Sequence, residues 1–235
     1  MFINIEGIKV TRSKRIILDI SQLIIDQRPT LLLGTNGAGK STLLSVLGRK
    51  IKPDTGTVNS SGVVASVEQN FRPVVGFTCA EYCSYVAWLR GQPWKNARRD
   101  CANWLDFVDL SHAGRQRCES LSGGERARLA IATALNSGSD TLLLDEPSAA
   151  LDPLSKQKIT AIYERIVQQG QALLVSTHDS AELQHPFERV LVLHAGKIYF
   201  DGNRQDFLGL SSQPGDSPAH VLSRAFALRG GNRVT

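Results

Sequence analysis

No stretch of the 235-residue chain approaches the roughly 18 unbroken apolar residues that a membrane-spanning helix requires. The N-terminal Met1-Phe2-Ile3-Asn4-Ile5-Glu6 lacks the basic-then-apolar pattern of a secretory leader, so the expected compartment is the cytosol. Cysteine is scarce: Cys79, Cys83, Cys101 and Cys118 all fall within one short region. No Cys-x-x-Cys or histidine pair beside them completes a zinc pattern, and buried, reduced thiols acting as small hydrophobes are expected. The chain also lacks an internal repeat and sustained heptads, which sets aside solenoids and long coiled coils. A formal charge of +5 leaves room for a polyanionic partner. A nucleic-acid surface, however, would gather basic and aromatic residues on one face. Two modest clusters exist, Arg90, Lys95, Arg98 and Arg99 with Trp88 and Trp94, and Arg115, Arg117, Arg126 and Arg128. Each is read as a solvated helix face that can lie near anionic lipid head groups, and no nucleic-acid partner is expected.

What remains is an ordinary soluble composition, 42% hydrophobic and 21% charged, in a chain long enough to bury a core. One stretch organises it. Gly34-Thr35-Asn36-Gly37-Ala38-Gly39-Lys40-Ser41-Thr42 has the glycine, four-residue gap and Gly-Lys-Ser spacing of a phosphate-binding loop. The apolar strand Thr30–Leu33 precedes it, and a helix follows to about Leu47. Polyphosphate is wrapped by backbone N–H groups, which requires residues without a Cβ where the backbone comes close. The helix N-terminus turns its positive end to the anion. Lys40 supplies positive charge for the β- and γ-phosphates, and the Ser41 hydroxyl suits Mg²⁺. The expected ligand is a nucleoside triphosphate.

In chain order, residues 2–5, 8–10 and 16–25 read as strands of an N-terminal antiparallel layer, with a turn at Ser13-Lys14. After a turn at Lys52–Gly56, the β-branched run Val63–Val67 delivers Glu68-Gln69-Asn70 at its end. From 71 to about 137 the apolar spacing becomes helical. Thr78-Cys79-Ala80-Glu81 has the form of a capping box. Ala97, Cys101, Trp104, Leu105 and Val108 form one helical stripe. An apolar strand returns at Thr141–Asp145, followed by an amphipathic helix over 154–169 closed by Gly170. A further strand, 172–177, leads to His178, and a hairpin is expected around Ala195-Gly196. The expected architecture is α/β: a P-loop NTPase core of RecA-like type with an N-terminal antiparallel β layer and an inserted α-helical subdomain. The expected division is a single domain over 1–210, with core 1–70 and 138–210, a helical subdomain at 71–137 and a short tail over 211–235.

Two further motifs carry chemistry. Asp145 and Glu146 close an apolar strand; the first is placed to hold Mg²⁺, the second to polarise an attacking water. Leu121-Ser122-Gly123-Gly124-Glu125 opens a helix with a second capping box, and its glycines leave first-turn amides uncovered as an anion site. By physics alone that motif is equally an ordinary capped helix.

Together these pieces resemble the ABC ATPases over roughly residues 1–208. Leu121–Glu125 is similar to the family signature, Gln69 to the Q-loop glutamine and Thr141–Glu146 to the Walker B strand. Ser148-Ala149-Ala150-Leu151-Asp152 resembles the D-loop, and His178 in Ser176-Thr177-His178-Asp179 the switch histidine. The resemblance implies a head-to-tail dimer, of identical or different subunits. ATP on Gly34–Thr42 of one subunit would be sealed by Ser122, Gly123 and Gly124 of the other. It assigns Glu146, His178 and Gln69 to catalysis, and Ser41, Gln69 and Asp145 to Mg²⁺. One departure is plain: Val10-Thr11-Arg12-Ser13-Lys14-Arg15 has no aromatic residue where the family stacks adenine, and the Arg12 guanidinium is the candidate substitute. The functional expectation is the ATP-hydrolysing subunit of an ABC transporter, peripheral on the cytoplasmic face of the membrane and driving a separate transmembrane permease. Residues 71–91 favour export over import. The alternative is a soluble ABC ATPase remodelling a protein complex, such as an iron–sulfur assembly machine.

Overall fold

The computed structural model describes residues 2–210; the tail expected over 211–235 lies outside the described residues. Strands β1 (Ile3–Arg12) and β2 (Arg15–Ile25) form an antiparallel hairpin whose turn residues Ser13 and Lys14 take φ of 48° and 64°. The two short strands expected over 2–5 and 8–10 are one strand. The cause is Gly7, at φ 59°, where the pairing register slips between Glu6 and Lys9. Ile3 and Ile5 occupy odd positions, Ile8 and Val10 even ones, yet all four are buried. The bulge changes parity and keeps them on one face. Burial of each side chain contributes about 1.5–3 kcal/mol, so an unbulged strand would forfeit several kcal/mol by turning two of them outward.

Strand β4 (Thr55–Ser60) pairs with the other edge of β1, giving the order β2-β1-β4. It was not apparent in the sequence because Thr-Gly-Thr-Val-Asn-Ser carries only one apolar side chain. Its backbone pairing, not its pattern, makes it a strand.

The second sheet contains β3 (Thr30–Leu33), β5 (Val64–Val67), β6 (Thr141–Asp145), β7 (Ala172–Thr177), β8 (Arg189–His194) and β9 (Lys197–Asn203), ordered β5-β6-β7-β3-β8-β9. All neighbours are parallel except the β8–β9 hairpin. Strands β3, β6 and β7 are buried at every position, as expected of a parallel sheet covered on both faces. On one face Leu32, Leu143, Leu174 and Leu191 join the N-terminal layer and helix α1 (Lys40–Leu47) in one core. On the other, Leu31, Leu33, Leu142 and Leu144 join the helices.

Helices α2 (Cys79–Leu89), α3 (Trp94–Phe107) and α4 (Gly123–Asn136) lie between β5 and β6 in sequence. Thr78 and Glu81 form the expected capping box. Ala97, Cys101, Leu105 and Val108 are buried, while Trp104 sits at the margin of the stripe. Buried Asn136 locks the group by donating Nδ2 to the carbonyls of Cys83 (3.2 Å) and Ala97 (3.0 Å). The four cysteines are free and buried. Helix α5 (Pro153–Gln168) is capped by Asp152 and followed by Gly170 at φ 76°. Its Arg165 holds both carboxylate oxygens of Asp109 at 3.2 and 2.9 Å, tying the end of the α3 segment to the sheet-covering helix. A final helix, α6 (Arg204–Gly209), buries Phe207 and was not foreseen. Among the described residues no helix is long and apolar enough to cross a membrane.

Candidate active site

The parallel strands all end at one edge, where an open α/β sheet places its ligands. Gly34–Thr42 leaves the end of β3 and enters α1. The glycines are there for space and conformation. A Cβ on Gly34 would stand 2.6 Å from the Leu193 carbonyl oxygen, and Gly39 holds φ 106° as the N-cap of α1 with no side chain covering the first-turn amides. The Gly39 position also lies against the Ile17 carbonyl and Leu18, so the β1–β2 hairpin leans on the loop. Arg12 is exposed near the turn of that hairpin. Thr35, Asn36, Gly37 and Ser41 are exposed, whereas Lys40 is only 5% exposed.

The Lys40 ammonium donates to the carbonyls of Gly34 (2.8 Å) and Thr35 (3.3 Å) and lies 3.0 Å from Glu146 Oε1. Glu146, 7% exposed, sits just past β6 in the left-handed region at φ 46°, a conformation that costs a non-glycine residue about 1–3 kcal/mol. Its second oxygen, Oε2, accepts Gln69 Nε2 at 3.1 Å and stands 3.0 Å from His178 Nδ1. Thus Lys40, Gln69 and His178, arriving from the ends of β3, β5 and β7, converge on one carboxylate. Asp145 is also buried and accepts the Ser176 hydroxyl at 2.6 Å. The same Ser176 accepts the Glu146 N–H through both Oγ and its carbonyl, at 3.1 Å each.

Sequence reading overlooked Ser176. The signal was available: when the two apolar runs ending at Asp145 and Thr177 are set in parallel register, Asp145 faces Ser176. Glu182 was also overlooked. It accepts the Ser148 hydroxyl at 2.5 Å, and burial pushes its carboxyl above the usual carboxylate range, partly offset by that bond. Asp179 is held below its ordinary value, chiefly by the Ala181 N–H.

Ser41, Asp145 and Gln69 offer a hydroxyl, a carboxylate and an amide, an oxygen donor set that suits a hard cation such as Mg²⁺. With Nε2 of Gln69 turned to Glu146, its carbonyl oxygen remains for another partner. Ser122 caps α4 by accepting the Glu125 N–H at 3.3 Å, while Glu125 Oε2 accepts the Ser122 N–H at 2.8 Å. A cleft of about 500 Å³ runs between Gln69, Gly123, Arg126, Glu146, Ala149 and Leu151; none of its described lining residues comes from Gly34–Thr42. Within one chain, then, Gly123 shares a cleft with Glu146 but not with the loop. Gly124 is tightly placed, since a Cβ there would meet Ser155 Oγ at 2.7 Å.

A family model described as ABC transporter matches residues 19–149. The chain is 32% identical over 194 residues to the energy-coupling factor transporter ATP-binding protein EcfA2 of Methanospirillum hungatei, covering 74% of this chain and 48% of that one. The chain therefore spans about half the length of that relative. It is 32% identical over 232 residues to the cobalt import ATP-binding protein CbiO of Syntrophus aciditrophicus, covering 92% of this chain and 78% of that one. In fold it resembles a dimeric bacterial ABC transporter cassette with a TM-score of 0.76 at 24% identity, covering 86% of this chain and 98% of the other.

Proposed function

The chain belongs to the ABC transporter family of ATP-binding proteins, and from that premise we propose that it is an ATP-hydrolysing subunit that drives a separate transmembrane permease. The observation that carries the reading is the convergence of Lys40, Gln69 and His178 on Glu146. In this mechanism Gly34–Thr42 wraps the phosphates with backbone amides, and Lys40 neutralises the β- and γ-phosphates. Glu146 polarises the attacking water, and His178 orients Glu146 and the γ-phosphate. Gln69 relays the state of the site toward the helical segment that follows it. Ser41 and Asp145, with Gln69 beside them, would hold Mg²⁺, which would supply further charge stabilisation at the phosphates. Arg12 stacks on the base.

The core proposed is 1–70 with 138–210, and the helical subdomain is 71–137. Gly123 lines a cleft to which Gly34–Thr42 contributes no residue, so closure over ATP is assigned to Ser122–Gly124 of a second subunit; the dimeric cassette of similar fold supports that arrangement. The proposed location is peripheral, on the cytoplasmic face of the membrane. The transporter names of EcfA2 and CbiO favour transport over remodelling of a soluble complex. CbiO is named for import, whereas residues 71–91 suggested export; the proposal rests on the ATPase and not on direction.

Glu146→Gln tests it. The variant is expected to bind ATP while hydrolysis falls by about 10²-fold or more, the scale of a positioned general base. Wild-type turnover in a correctly folded variant would remove Glu146 from the mechanism.

A further inference from the structure

Residues 88–99 contain Arg90, Lys95, Arg98 and Arg99 and no acidic residue. They form the tip of the α2–α3 hairpin, where Gly91 turns the chain at φ 96° and Pro93 opens α3. Apolar surface is concentrated at the same tip. Trp88, Leu89 and Trp94 are 48%, 59% and 46% exposed, and the two indoles touch edge to face with centroids 6.4 Å apart. Arg99 is paired with Asp100 at 2.7 Å, but no carboxylate among the described residues lies within salt-bridge range of Arg90, Lys95 or Arg98.

A solvated helix face accounts for the basic residues. It does not account for three adjacent exposed apolar side chains among them. Indole is amphipathic and favours the boundary between water and hydrocarbon, and Lys and Arg beside it are drawn to anionic head groups. A nucleic-acid surface would present ring faces as stacking platforms. Here the rings lie at 88° to one another and pack together, an arrangement suited to a wedge of apolar surface.

We propose that the hairpin tip from Trp88 to Arg99 seats directly on an anionic bilayer surface. The indoles enter the head-group region, and Arg90, Lys95 and Arg98 lie against lipid phosphates. The contact is made by this chain itself and needs no permease, so it stands or falls apart from the transport reading. None of these residues belongs to the ATP site.

The full chain, without a permease, is mixed with phosphatidylglycerol–phosphatidylcholine vesicles or with phosphatidylcholine vesicles alone. Sedimentation measures binding, and intrinsic fluorescence reports the tryptophans. The expected result is binding to the anionic vesicles, weakened by salt, with a blue shift of emission. The combined substitution Arg90→Glu, Lys95→Glu and Arg98→Glu is expected to lower partitioning by at least about tenfold, since each basic residue near the surface adds to the attraction. Trp88→Ser with Trp94→Ser is expected to abolish the blue shift while Trp104 still emits. ATP binding in both variants confirms that they are folded. Absence of binding, equal binding to neutral vesicles, or undiminished binding of the triple variant would each overturn the proposal. So would binding of a short oligonucleotide more tightly than the anionic vesicles, lost in the triple variant and in Trp88→Ser with Trp94→Ser, which would make the tip a nucleic-acid surface.

Discussion

At the scale of single residues, the site depends on groups that satisfy one another in places where water is excluded. Ser176 is the clearest case, because one hydroxyl donates to Asp145 and accepts from the Glu146 N–H. Ser176→Ala removes both contacts and leaves a buried carboxylate oxygen without its donor. The expected cost is about 1–3 kcal/mol, read as a lower urea midpoint. Mg²⁺-dependent ATPase activity should fall with it, and retention of both would show that the serine only fills space. Lys40 and Glu146 were legible from the spacing and setting of their motifs, and Gln69 and His178 from the resemblance to the ABC ATPases. Ser176 was not, because its contact depends on how two strands are aligned across the sheet. Glu182 was hidden for the same reason: it meets Ser148 only after the chain has passed through α5 and β7.

At the scale of elements, local rules gave most boundaries and failed where pairing overrides pattern. Thr78–Glu81 and Ser122–Glu125 announced α2 and α4 because a capping box is chemistry within four residues. Strand β4 and the continuous β1 were not announced, since an edge strand of polar residues and a glycine bulge acquire meaning only from their partner. The two caps yield predictions. Ser122→Ala should lower unfolding free energy by about 1 kcal/mol in chemical denaturation. Glu81 and Glu125 are both held below their ordinary carboxylate values, first by the Thr78 and Ser122 N–H groups. Their contribution is therefore fully present above the ordinary value near 4.5 and is lost as pH falls through the depressed ones. Thermal stability should decline on acidification below about pH 4.5, and Glu125→Gln should shrink that decline. An unchanged pH profile in Glu125→Gln would show that this cap carries no linked proton.

At the scale of the whole molecule, the proposed closure by Ser122–Gly124 of a second subunit predicts that one chain is half a machine. In a Glu146→Gln background, ATP should produce a dimer on size exclusion. Ser122→Arg should keep the protein monomeric, while Ser122→Ala, which loses the same cap, should still dimerise. Equal dimerisation of both would refute closure across Ser122–Gly124. The Lys40–Glu146 pair at 3.0 Å then has a further meaning. Lys40 has one ammonium and two claimants, the carboxylate beside it and an incoming phosphate. Breaking a buried pair without replacement costs about 3–5 kcal/mol, so a phosphate must arrive as the carboxylate is let go. On the proposed mechanism, loading the fuel and releasing the safety catch on Glu146 become the same movement. The subunit cannot be armed before it is charged.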